Sequence, residues 1–203
     1  FEVGAISGAA FVLRKELFCS LGGLEEHLFL YYEDTDLSLR LQLKGLLCYA
    51  VPDSVVRHDY QNVFSPQKIY YLERNRLLSL LSLMTWRAFL LMLPSLVLVD
   101  ALSWGYCLLR GPKALVAKAS SWWAVVQHCR WLARRRRQLA VAPNNTRFLL
   151  GTLTYELEIQ YVDARSSGMA RVIDFASWLA GIPFLVWLAS TRQSSPPING
   201  GTD

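Results

Sequence analysis

Hydrophobic positions follow two regimes along the 203-residue chain. Up to about residue 75, short apolar clusters alternate with charged and small residues. Beyond Leu77 the apolar positions run together. The opening segment "VGAISGAAFVLRKELF" has the small and β-branched residues of a close-packed extended piece around Gly4 and Gly8. "RKELFCSLGG" then reads as a short helix stopped by Gly22 and Gly23. "LLCYAV", from Leu46 to Val51, is a short apolar run closed by Pro52, as in a buried strand, and "DSVVRHDY" is another brief extended piece. Between them, "LSLRLQLK" alternates strictly, which favours a half-buried strand. Against that stand the acids Asp34 and Asp36 in a would-be first turn, the Asp36/Arg40 pair at i,i+4, and Gly45 as a stop. The expectation is a helix.

Ser65 followed by Pro66 is a helix start, with a serine cap and proline at the first helical position. The helix it opens should run about five turns through "QKIYYLERNRLLSLLSLMTW". It leads into Ala88–Leu109, an apolar stretch whose length is that of a bilayer span. A second such stretch covers Val172–Ser190. Between them, "KALVAKASSWWAVVQHCRWLARRRRQL" places Leu115, Ala119, Trp122, Val126, Cys129 and Ala133 at helical spacing. An amphipathic, Trp-bearing helix with a basic end suits a membrane interface; a solvated helix packed on its own domain is the plainer alternative. The tail "TRQSSPPINGGTD" is polar, rich in Pro and Gly, and expected to be disordered.

Composition sharpens this division. The chain is 53% hydrophobic, carries 7 Trp and has a net charge of +5. Such a charge suits an anionic membrane surface or nucleic acid. The arginine block Arg134–Arg137 has no nucleic-acid-binding motif around it, so no nucleic-acid partner is expected. Eleven Lys and Arg residues lie between 110 and 171. They argue for keeping both flanks of the first apolar stretch on the cytoplasmic side, with Pro94 bending it in plane or back on itself. Asn144-Asn145-Thr146 is then a sequon in letters only. Cys19, Cys48, Cys107 and Cys129 have neither metal-ligand nor disulfide spacing and are expected to be reduced, buried small hydrophobes.

The chemistry concentrates in "YYEDTDLSLRLQLKG", Tyr31 to Gly45. Glu33 and Asp34 are chain neighbours whose side chains diverge, so they do not flank one bond as a glycosidase pair does. Asp34 and Asp36 spell D-x-D, yet residues two apart on a helix point to nearly opposite sides and could not share a metal there. One carboxylate at a loop-to-helix junction remains, able to act as a general base toward a hydroxyl. The plainer alternative is that all three acids cap a helix.

The stretch "SGAAFVLRKELFCSLGGLEEHLFLYYEDTDLSLRLQLKGLLCYAVPDSVVRHD", continued by "YYLERNRLL", resembles the C-terminal half of the catalytic domain of family-2 glycosyltransferases, most of all the rhamnosyltransferase-like members. The resemblance covers about the first 78 residues. It implies an α/β fold, half of a glycosyltransferase-A nucleotide-sugar domain over residues 1–78. An all-α membrane-associated region over 79–190 and a tail over 191–203 would follow. It implies inverting transfer from a nucleotide-sugar to a hydroxyl of a glycan or polyprenyl-linked acceptor, with Asp34 as the base and Glu33 holding the loop or the acceptor. Gly8, Ala9, Arg14 and Tyr32 would contact donor or acceptor, and Asp36 with Arg40 would be structural. His58 would complete a divalent-cation site, Mn²⁺ or Mg²⁺, whose other ligands lie in an N-terminal half absent from this sequence. The chain is thus expected to be the back portion of a longer protein, inactive alone, at the cytoplasmic face of a bacterial plasma membrane. The competing class is a non-catalytic, membrane-bound module of a polysaccharide assembly complex. His27 and His128 are expected to be structural.

Overall fold

A computed structural model describes residues 1–59 and 65–139. Of these, 64% are helical and 3% are strand. The only sheet among them has two strands, β1 (Glu2–Val3) and β2 (Cys48–Tyr49), paired antiparallel with Glu2 opposite Tyr49. The expected α/β glycosyltransferase-A domain is therefore corrected to a mainly helical architecture. The cause lies in how the small-residue opening segment satisfies its backbone. Beyond Val3 it joins no strand but lies along a helix, whose side chains bond the N–H groups of Ile6 and Gly8 and the C=O of Gly4. The apolar run Leu46–Val51 contributes only its two central residues to the ladder, and 54–59 adopt no regular structure.

Helix α1 (Lys15–Ser20) ends where Gly22 and Gly23 take positive φ, as expected. Helix α2 (Glu33–Leu43) settles the alternating stretch. Leucine at every second position makes two i,i+4 stripes on opposite sides of a helix. Leu37 and Leu41 pack with Cys48, Val3, Ile6 and Leu17, while Leu39 and Leu43 pack with Leu83, Met84 and Ala88. Both sides are buried, so a helix here shows the pattern of a strand. Gly45 at φ 74° ends it in a Schellman turn: Gly45 N–H donates to Gln42 C=O and Leu46 N–H to Leu41 C=O.

Helix α3 (Pro66–Leu83) opens as expected, with Ser65 Oγ accepting from Lys68 N–H at 3.0 Å. Helix α4 (Trp86–Arg110) runs continuously through Pro94, capped by Thr85. Where one amphipathic helix is expected over 113–139, the chain breaks at His128 into α5 (Pro112–Gln127) and α6 (Cys129–Gln138). Helix α5 packs on both α3 and α4, and α6 lies against α3. Two of the four cysteines, Cys19 and Cys129, are exposed rather than buried. Val172–Ser190, the tail and the Asn144 sequon lie outside the described residues.

The packed face of α5 reverses the usual soluble pattern. Ala114, Lys118, Ser121 and Ala124 face inward, while Val116, Trp122, Trp123 and Val126 face outward. Helix α4 likewise turns Trp86, Leu90, Leu93 and Val97 outward. Small and polar residues form the helix contact, and apolar ones form the surface. Lys118 is fully buried, donating to both Glu73 on α3 and Asp100 on α4. Ser103 donates to Glu73 at 2.7 Å, and Arg76 adds a 2.8 Å ion pair. Burial pushes the Glu73 carboxyl up, but Arg76 and Lys118 outweigh it and hold it below the ordinary range.

Candidate functional site

The acidic cluster lies where three elements meet: the opening segment, the loop before α2 and the middle of α3. Asp34, Ser38 and Gln42 are spaced four apart and share one face of α2. Each holds one point of the opening segment. Gln42 Nε2 donates to Gly4 C=O at 2.6 Å, Ile6 N–H donates to Ser38 Oγ at 3.0 Å, and Gly8 N–H donates to Asp34 Oδ2 at 2.7 Å. Every second residue of an extended segment thus meets every fourth residue of a helix. A Cβ on Gly8 would come 3.2 Å from Asp34 Oδ2, which explains why the position is free of bulk. The other Asp34 oxygen, Oδ1, accepts from Thr35 N–H at 2.6 Å. Asp34 is only partly buried, in the first turn of α2, where the helix N-terminus favours an anion.

Glu33 differs from its neighbour. Its Oε2 is buried with no hydrogen-bond partner, and burial, with Asp34 nearby, raises the carboxyl above its ordinary range. Ionised Glu33 therefore weighs against the fold. Stability contributed by the protonated form is full at low pH and is lost as pH rises from the unfolded value through the raised folded one. Glu33→Gln is expected to melt higher than the parent at pH 7 and to lose that advantage below about pH 3.5, under the ordinary glutamate range. Thermal melts at the two pH values check this; equal melting points at pH 7 would contradict it.

The loop leading into α2 is strained. Phe29, Tyr31 and Tyr32 all have positive φ, at 55°, 65° and 72°. Side chains of α3 hold this backbone. Asn75, fully buried, brings Nδ2 to 2.7, 2.8 and 2.7 Å from the carbonyls of Leu28, Leu30 and Tyr31, its two N–H bonds shared among the three acceptors. Arg74 donates to the carbonyls of His27 and Leu28 and, through Nε, to Asn75 Oδ1 at 2.8 Å. Tyr32 is turned toward α3: burial raises its hydroxyl's pKa, partly offset by Arg76. "YYLERNRLL" is polar at positions that a five-turn apolar helix should bury. That is the signal which could have singled out Arg74 and Asn75 in advance.

Asp36, two residues past Asp34, has a different task. It is fully buried and accepts from Arg40 Nε at 2.8 Å and from Arg135 Nη2 at 2.8 Å on both oxygens. Arg40 also donates to the carbonyls of Leu21 and Gly23 beyond α1. The two aspartates of the D-x-D thus point into different surroundings. Within the arginine block, Arg135 serves Asp36, and Arg136 donates to Leu81 and Met84 carbonyls at the end of α3 and stacks on Trp86. Arg134 and Arg137 remain exposed. His27 stacks on Trp131 with ring centroids 4.9 Å apart, and His128 Nδ1 bonds to Ala124 C=O at 2.6 Å.

The other expected site residues are more scattered. Ala9 is exposed beside Gly8, and its N–H donates to Ser7 Oγ. Arg14 is exposed at the start of α1. His58 is exposed in the irregular segment after β2. Among the described residues no three His, Cys, Asp or Glu side chains gather closely enough to hold a metal ion.

Over 56 residues, 28% of the chain, the sequence is similar to glycosyltransferases. Two such relatives are N-acetylglucosaminyl-diphospho-decaprenol L-rhamnosyltransferases of Mycobacterium tuberculosis, from strains CDC 1551 / Oshkosh and ATCC 25618 / H37Rv, each 41% identical over that stretch. The matched stretch spans 18% of the length of these curated relatives. No protein-family profile and no solved structure matches the chain.

Proposed function

We propose that the chain is part of an inverting, family-2-type glycosyltransferase acting on a lipid-linked glycan acceptor, in which Asp34 is the general base. The observation that carries this reading is the 41% identity to two rhamnosyltransferases whose names specify a polyprenyl-diphosphate acceptor. In the proposed step the acceptor O–H donates its proton to the Asp34 carboxylate while its oxygen forms the new bond to the anomeric carbon. The bond from that carbon to the nucleoside diphosphate breaks on the opposite side, which inverts the configuration. A carboxylate held by two backbone N–H groups at a helix N-terminus, yet partly exposed, is available to receive that proton. Glu33, whose Oε2 is buried, would hold the loop beside Asp34, and Gly8 and Ala9 leave room for the sugars. Tyr32 would act through the loop it ends, since its ring is turned into the protein. Arg14 and His58 are proposed as outlying contacts to the diphosphate. A bound divalent cation would neutralise diphosphate charge, with its ligands drawn mainly from outside the described residues.

The test is transfer itself. Membranes from cells expressing the intact enzyme, this chain together with the donor-binding half, are supplied with thymidine-diphosphate rhamnose and N-acetylglucosaminyl-diphospho-polyprenol. Labelled rhamnose should appear in the lipid extract, above cells lacking the protein. No transfer from this donor or from other nucleotide-sugars would favour the non-catalytic assembly module instead.

The same reading places the protein on the cytoplasmic face of a bacterial plasma membrane. Among the described residues α4 is the one helix long and apolar enough to cross a bilayer, and 6% of its most apolar stretch is buried within the protein. The outward apolar faces of α4 and α5, with Arg134 and Arg137 exposed nearby in sequence, suit an anionic lipid surface. Purified protein should co-sediment with phosphatidylglycerol-containing vesicles. Leu90→Glu with Val97→Glu should weaken that binding about tenfold or more, because two apolar contacts become buried charges. Undiminished binding by the double variant would show that α4 is not the lipid contact.

A further inference from the structure

We infer that Asn75 is a positioning residue: from the middle of α3 it holds the Leu28–Tyr31 loop in its left-handed conformation and so sets where Glu33 and Asp34 stand. The inference rests on the proposed role of Asp34 for its consequence in catalysis, and on geometry alone for the clamp. Three non-glycine residues with positive φ within four positions are costly, and such a backbone persists only where its surroundings over-determine it. Asn75 is the group that does so. One amide nitrogen meets three carbonyls of the loop at 2.7 to 2.8 Å, and Arg74 fixes the amide's orientation by donating to its oxygen. Aspartate in its place would present an acceptor to three acceptors, so the chemistry asks for an amide.

At its start the loop is anchored by the fully buried Leu28 and by Arg74, which donates to the carbonyls of His27 and Leu28. Phe29, at φ 55°, is 73% exposed and meets the rest of the protein at the Tyr71 ring, 5.9 Å away. Tyr71 and Tyr70 are in turn stacked by Arg74. Clamp, loop and first turn of α2 therefore form one unit, in which Tyr32 is the N-cap and Asp34 lies two residues further. Tyr32 C=O accepts from Asp36 N–H at 2.8 Å, so displacement of the loop is passed directly to the turn that carries the carboxylates.

The experiment compares hydrogen exchange and transfer kinetics in the intact enzyme that carries this chain for the parent, Asn75→Ala and Asn75→Ser. Serine keeps one donor and serves if the alanine variant does not fold. Amides 28–34 should exchange about tenfold faster or more, with those of α5 unchanged. The kcat should fall about tenfold or more while KM for the nucleotide-sugar stays within about twofold, as for a displaced catalytic group. Glycine accepts positive φ without penalty, so adding Phe29→Gly should recover part of both losses, which a merely structural role of Asn75 does not predict. Exchange that is unchanged in the loop, or raised equally in α3 and α5, overturns the clamp, as does Phe29→Gly deepening the loss. If loop exchange rises as stated while Asp34→Asn retains full turnover, the clamp stands and the base assignment falls.

Discussion

Lys118→Met should lower the stability of the protein by about 3–5 kcal/mol, the largest stability effect of any single substitution expected here. The ammonium group is fully buried and bonded to Glu73 and Asp100, joining all three long helices at one point. Methionine keeps the volume and removes the charge, so packing is nearly conserved. What remains is Glu73, held by Arg76 and Ser103, and Asp100, whose nearest remaining ionic partner is Arg76 at 3.8 Å. One acid is left short of a partner between helices whose outer faces are apolar. In melting temperature the loss amounts to roughly 10 °C. Pairing Lys118→Met with Glu73→Gln should cost less than the sum of the two single changes, because the second removes a charge the first has orphaned. A Lys118→Met protein that melts within about 1 °C of the parent would show that this lysine does not tie the helices together.

The second large effect is on rate. Asp34→Asn should lower transfer by about 10²–10⁴, the range for loss of a positioned proton acceptor. The fold should survive. Asparagine keeps one carbonyl oxygen, which can accept from Gly8 N–H or Thr35 N–H but not from both in their present places. The cost is that of one partly exposed hydrogen bond, about 1 kcal/mol. Ser38 and Gln42 continue to hold the opening segment at Ile6 and Gly4. Activity and stability therefore separate at Asp34 in a way they do not at Asp36, whose removal would strand Arg40 and Arg135.

What was legible in the sequence was local. Ser65-Pro66 and Gly45 mark helix ends because caps and left-handed stops depend on neighbouring residues alone. The helical assignment of "LSLRLQLK" followed from its acidic start and glycine stop rather than its periodicity, and the periodicity misled because both sides of α2 are buried. The fold class was misjudged for a related reason. Small residues around Gly4 and Gly8 fit a sheet interior and a segment clamped onto a helix equally well, and only the partner distinguishes the two. Nothing local announces that partner. Arg135 reaches Asp36 across 99 positions and Asn75 reaches the loop across 44 to 47. In the 113–139 stretch the apolar positions Trp122 and Val126 are turned outward, because Lys118 finds two carboxylates inside.

The measurement that bears most directly on the central claim is the single-turnover rate of Asp34→Asn in the intact enzyme, with saturating nucleotide-sugar and polyprenyl-linked acceptor, run beside the parent. Circular dichroism and a melt of the same preparations show whether both are folded. The account predicts a folded variant whose rate of sugar transfer is down by about two orders of magnitude or more. A folded variant that transfers sugar at a rate within about threefold of the parent would contradict it. Asp34 would then be only the latch that holds Gly8 to the helix.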